Sequence, residues 1–206
     1  NAMTVASLLR QSVRDLTVFN SILDVSGQIS GPAANVNGID LTGTNFTFSG
    51  AVTTAGDGAV SIDNAGALTI DNGAAFTVDG EFAQTSTVGT GTVSLGDNIT
   101  TLDGNITLTD AVTLTDTVVL TTNMTSGGQV DPATGGNVLI GSTVNGNQIL
   151  TIGAGTGDVT FQSGADVGTA NGGALAELSV SGDDITLRNV TPVGEQSYTA
   201  AGTITT

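Results

Sequence analysis

The chain has 206 residues, of which 38% are hydrophobic and only 3% aromatic; its formal net charge is −16, and it contains no cysteine or histidine. Arg10, Arg14 and Arg188 are its only cations, so the clustered Lys and Arg that phosphate recognition needs are missing, and neither nucleic acid nor anionic lipid is an expected partner. The composition also removes the thiol nucleophile, the imidazole base, the Schiff-base amine and the nitrogen and sulfur ligands of zinc, and no apolar run approaches the roughly 20 residues that would insert in a bilayer.

In chain order, residues 1–3 (Asn1, Ala2, Met3) read as a cloning remnant ahead of a fragment cut from a longer polypeptide. Residues 4–16 follow a three-four apolar spacing through Val5, Leu8, Leu9, Val13 and Leu16, with Thr4 as N-cap, which predicts an amphipathic helix capping one end of the domain. From residue 17 to 206 the pattern changes to two-residue alternation in short bursts closed by Gly, Asn or Asp.

The stretch AVSIDNAGALTIDNGAAFTVDG, Ala59 to Gly80, shows the pattern most plainly. Val60 and Ile62, Leu68 and Ile70, and Phe76 and Val78 are apolar pairs around Ser61, Thr69 and Thr77, and Asp63, Asp71 and Asp79 follow at a spacing of eight. Each unit predicts a half-buried strand of about four residues and a turn. In ITLTDAVTLTDTVVLTTN the spacing tightens to six. A longer repeat aligns residues 45–53, NFTFSGAVT, on residues 105–113, NITLTDAVT, and NVLI, ILTI, DVTF, LSVS and DITL continue the design.

Strands this short bury almost nothing as hairpins. If the chain coils instead, three sides of six to eight residues make a rung of roughly 18–24, and each strand pairs in parallel with the strand one rung on. The expected fold is therefore all-β, a parallel β-helix of on the order of nine or ten rungs, each about 4.8 Å from the next. An antiparallel β-sandwich is the alternative, disfavoured by the short strands and scarce aromatic residues.

The segments AFTVDGEFAQTSTVGTGTVSLGDNITTLDGNITLTDAVTLTDTVVLTT, LTIGAGTGDVTFQSGADVG and LSVSGDDITLRNV resemble the repeats of very large bacterial surface proteins, the filamentous-haemagglutinin-like and autotransporter-like adhesins. The resemblance implies a right-handed parallel β-helix, secreted or displayed on the bacterial cell surface, serving as a shaft for attachment. It implies neighbouring repeats of the parent chain as partners, and glycans or proteins of another cell as targets. NVNGI, at 35–39, is similar to the Asn-Pro-Asn-Gly-Ile motif of two-partner secretion domains, with Val36 in place of the proline.

Calcium is the one cofactor the acidic composition invites, and Asp63, Asp71 and Asp79 are the candidate ligands. Their period is eight, however, and the glycine pairs of the nine-residue calcium roll are missing. If three sides make one rung, the three aspartates occupy different corners and do not converge. The adjacent Asp183 and Asp184 suggest carboxylate-pair chemistry on a polysaccharide, but neighbours in a strand point to opposite faces and aspartate is common in turns. Thr107 with Thr109 and Thr113 with Thr115 suggest an ice-binding face, against which the drifting repeat length argues. The Asn-x-Thr sequons at Asn45, Asn98, Asn105 and Asn123 are expected by chance in such a composition. The expectation is a non-catalytic structural or adhesive segment.

Overall fold

A computed structural model describes residues 38–87, 91–124, 129, 131, 133–168, 173–191 and 194–206, and the backbone of residues 2–5, 8–9, 15–25 and 29–30. Every strand-to-strand pairing among them is parallel, and no strand pairs with its neighbour in sequence as a hairpin would. From Gly38 onward the chain completes about seven turns of a coil. This is the right-handed parallel β-helix expected from the repeats, not a sandwich.

Each turn has three sides. The first face holds Ala59–Asn64, Phe82–Thr85, Ile106–Leu108, Val138–Ile140, Val159–Phe161, Ile185–Thr186 and Ile204–Thr205. The second holds Ala67–Ile70, Thr92–Leu95, Ala111–Leu114 and Val144–Asn145, continued by single bridges through Val167 and Val190. The third is a nine-stranded sheet running from Leu8–Leu9 to Gln196–Ala200. The first two faces merge at Gly38–Phe48, an 11-residue strand whose first half pairs with Ala59–Asn64 and whose second half pairs with Ala67–Ile70.

Alternation dictates which side chains go inside. On the first face Val60, Phe82, Ile106, Val138, Val159 and Ile185 stack in register, each with essentially no exposure. Fully burying such a side chain stabilises by roughly 1.5–3 kcal/mol. Phe48, Phe76 and Phe82 come from three different faces and meet edge to face, with centroids 5.0 and 5.2 Å apart, so the few aromatic rings tie the three sheets together.

Turn length varies more than the sequence suggested. Val60 pairs with Phe82, 22 residues on, and Ile185 with Ile204, 19 on, but Ile106 pairs with Val138, a turn of 32. Ladder hydrogen bonds constrain only the strand residues, so the corners take up the excess.

The expected capping helix over 4–16 is corrected. Ala2–Val5, Leu8–Leu9 and Asp15–Val25 are strands, Ala2–Val5 pairing with Ile22 to Val25 and Leu8–Leu9 with Ile29 and Ser30. Val5 ends one strand and Leu8 and Leu9 form another in a different sheet, so apolar residues on two short strands imitate three-four helical spacing. Ala2 and Met3, set aside as a remnant, lie in the first strand. Val13 lies outside the described residues, as do the first residues of NVNGI; Gly38 and Ile39 open the long shared strand.

Candidate functional site at the polar corners

A coil of flat faces has to turn, and at a turn the backbone groups leave the sheet ladder. Those groups need partners wherever water is excluded. The sequence supplies them with three sets of side chains.

Between the third and first faces, Thr54, Thr101 and Thr122 point inward and are buried. Their hydroxyls donate across the corner to the carbonyls of Gly58, Gly104 and Gly136. On the outside of that corner runs a second ladder. The N–H of Asn137 donates to Asn105 Oδ1 (2.8 Å), that of Asp158 to Asn137 Oδ1 (2.8 Å), that of Asp184 to Asp158 Oδ1 (3.2 Å) and that of Thr203 to Asp184 Oδ1 (2.6 Å). One side chain per turn thus caps the next turn.

Between the first and second faces the polar groups are interior. Asn64 and Gln84 have no exposure and Asp110 has 8%. Gln84 Nε2 donates to Asn64 Oδ1 (2.8 Å) and to Asp110 Oδ2 (2.6 Å), while Gln84 Oε1 accepts the N–H groups of Thr109 (3.1 Å) and Asp110 (3.2 Å). Asn64 Nδ2 donates to the Gly66 carbonyl at the bend itself (2.8 Å). Gln84 occupies the position that Ile62 holds one turn before and Leu108 one turn after. Burial pushes the Asp110 carboxyl above its ordinary value; the Gln84 bond pulls it back and the neighbouring Asp63 charge raises it further.

The candidate metal ligands lie at three separate corners of one turn, at the ends of the strands Ala59–Asn64, Ala67–Ile70 and Phe76–Val78. Asp63 accepts the N–H (3.0 Å) and hydroxyl (2.8 Å) of Thr87, and Asp71 accepts the Ser49 hydroxyl (2.6 Å). Asp79 accepts the N–H of Asp57 (2.9 Å), which sits at a left-handed φ of 62°. The eight-residue period measures one side of the coil, and each carboxylate ties its corner to an adjacent turn. Among the described residues no three acidic groups are arranged to hold a metal ion.

Asp183 and Asp184 are both exposed, and Asp184 belongs to the outer ladder. The threonine ranks also differ from expectation. Strand register is kept despite the drifting turn length: Thr53, Thr77, Thr100 and Thr121 align on the third face. Thr107, by contrast, aligns with Ala83 and Leu139, and Thr113 with Ser94 and Asn145, so the paired Thr-x-Thr ranks do not propagate.

The outer ladder borders a groove of about 240 Å³ on the first face, lined by Asn105, Thr107, Asn137, Leu139, Asp158 and Thr160. Because the ladder takes Oδ1 of both asparagines, their Nδ2 groups remain as donors at its edge, beside two threonine hydroxyls, one carboxylate and one apolar side chain. A second hollow, about 350 Å³, lies at the last turn between Leu187, Val190 and Tyr198 beside Arg188. There the Tyr198 hydroxyl donates to Gln196 Oε1 (2.7 Å), and burial pushes its phenol upward.

The outer ladder was missed in the sequence although its signal was present. Asn105, Asn137, Asp158 and Asp184 each stand immediately before an apolar-x-apolar triplet, in NITL, NVLI, DVTF and DITL. The recurrence of Asn or Asp at that one position marks a capping side chain.

Fold and corners together define a parallel β-solenoid repeat protein. No protein-family profile, curated protein or solved structure matches the chain.

Proposed function

We propose that this chain is a non-catalytic shaft segment of a large secreted or surface-displayed bacterial protein, working in attachment or display. The supporting observation is the unbroken parallel ladder, nine strands deep on the third face, with corner side chains joined turn to turn. A stack of this kind extends by adding turns and bears load along its axis through many hydrogen bonds in parallel. The resemblance of its repeats to those of adhesins supports the same reading.

Within it, the groove beside Asn105, Asn137 and Asp158 is the place for contact with a polar ligand such as a surface glycan. Amide donors, hydroxyls, a carboxylate acceptor and an apolar patch suit the hydroxyl-rich face of a sugar. Single contacts of this kind are weak, so repetition along the full-length parent would supply the avidity.

The test is a glycan and cell-surface binding screen of the chain, with and without calcium, against a Thr107→Glu/Thr160→Glu variant that fills the groove with carboxylates. Binding by the parent chain that the variant loses, at matched thermal stability, supports the groove. Equal binding by both moves the contact elsewhere on the shaft. Release of reducing sugar from a bound polysaccharide would defeat the non-catalytic reading.

A further inference from the structure

Among the described residues Asp110 is the one carboxylate that the corner design places inside the solenoid, and capping does not account for it. The outer-ladder caps are exposed or half-buried and hold a backbone N–H of the next turn; Asp110 instead accepts from the amide of Gln84, inside the wall. We propose that the Asn64–Gln84–Asp110 ladder is a proton-responsive latch, in which uptake of one proton by the Asp110 carboxyl removes a buried charge from the corner between the first and second faces and makes the solenoid more stable as pH falls.

The geometry sets the carboxyl inside the wall, at 8% exposure. Asp110 Oδ2 accepts from Gln84 Nε2 at 2.6 Å, and the same amide donates to Asn64 Oδ1 at 2.8 Å. The backbone of Gly91 closes over the carboxyl: a Cβ built there would collide with Asp110 Oδ2 and with the Asn64 carbonyl, so glycine is required. Asp63 is the charged group that acts on Asp110. It is held by Thr87, whose N–H and hydroxyl both donate to its carboxylate. Asn64, Gln84, Thr109 and Gly91, packed around the carboxyl, are neutral at every ordinary pH. A charge in such a place is disfavoured by desolvation and by its like-charged neighbour, and a neutral carboxyl escapes both.

The direction of the pH effect follows. The Asp110 carboxyl titrates above its ordinary value of 3.8 in the folded chain and near that value when unfolded. The stabilisation is therefore complete below the unfolded value and is lost as pH rises through the folded one. Each unit separating the two midpoints changes the folded-to-unfolded ratio tenfold. Asn64 and Gln84 do not titrate, so one proton carries the response.

The test pairs two measurements on the 206-residue chain. A carboxyl ¹³C NMR titration should place the Asp110 midpoint above those of the exposed aspartates. Denaturant unfolding of Asp110→Asn and wild type at matched pH should show the variant gaining on wild type from about pH 4 to about pH 7, with the gap closing again in acid. An Asp110 midpoint at or below the exposed aspartates overturns the latch, as does a variant difference that stays constant with pH. If Asp110→Asn does not fold, the titration of the wild-type carboxyl decides alone.

Discussion

Two corners of the same coil solve one problem in opposite ways. At the outer corner, Asn105, Asn137, Asp158 and Asp184 stand at the surface and each caps the next turn through a single bond to a backbone N–H. At the inner corner, Asn64, Gln84 and Asp110 lie inside the wall, and one glutamine joins two side chains and two backbone groups across adjacent turns. Water can replace any member of the outer ladder, whereas nothing can replace a member of the inner one. The same residue types are thus modest and interchangeable at one corner and strongly coupled at the other.

The widest contrast is an interior carboxylate with no ladder. Ile70 has no exposure and stacks on Phe48 and Leu95. Ile70→Asp would bury an unpaired charge and should cost more than about 4 kcal/mol, enough to abolish cooperative unfolding in a circular-dichroism melt. Asp110 is tolerated at 8% exposure because Gln84 reaches it. A cooperative melt near the wild-type temperature for Ile70→Asp would mean that the wall admits charge freely, and the distinction between the corners would go with it.

Gln84→Leu sharpens the comparison. Leucine restores the apolar stack with Ile62 and Leu108, but it strips Asn64 Oδ1, Asp110 Oδ2 and the Asp110 N–H of their bonds to the Gln84 side chain, while the Thr109 N–H keeps the backbone carbonyl of residue 84. Unsatisfied buried groups cost about 1–3 kcal/mol each, partly offset by the new contacts, so a loss of about 2–4 kcal/mol in denaturant unfolding is expected. A gain in stability would show that packing outweighs the ladder.

How much of this was legible in the sequence follows from the same physics. Alternation with frequent turn residues was enough for the faces, because inward and outward positions differ in polarity residue by residue, as in Val60, Ser61 and Ile62. The corner aspartates were legible too, since Asp63, Asp71 and Asp79 mark strand ends. Gln84 was not. A polar residue between Phe82 and Thr85 gives no local sign that its partners are 20 and 26 positions away. The start of the chain misled for a related reason: the apolar spacing of two short strands, Ala2–Val5 and Leu8–Leu9, coincides with helical spacing, and only their pairing with Ile22 to Val25 and with Ile29 and Ser30 separates them.

At the outer corner, Asn137→Ala removes the acceptor for the Asp158 N–H and frees the Asn137 side chain from the groove, at an exposed position where water can take its place. A loss of about 0.5–1.5 kcal/mol is expected, well below that for Gln84→Leu.

The smallest effect is expected at Thr69, which points outward beside Ile70 and pairs in register with Thr47 and Ser94. Thr69→Ala removes a hydroxyl and a methyl group from a surface rank and leaves the ladder intact, so the change should stay within about 0.5 kcal/mol. Set beside Ile70→Asp, one position away on the opposite side of the same strand, the pair measures how sharply the wall divides inside from outside. Similar losses for the two variants would mean that Thr69 also faces an unseen packing partner, and the second face would then have to be treated as covered rather than free.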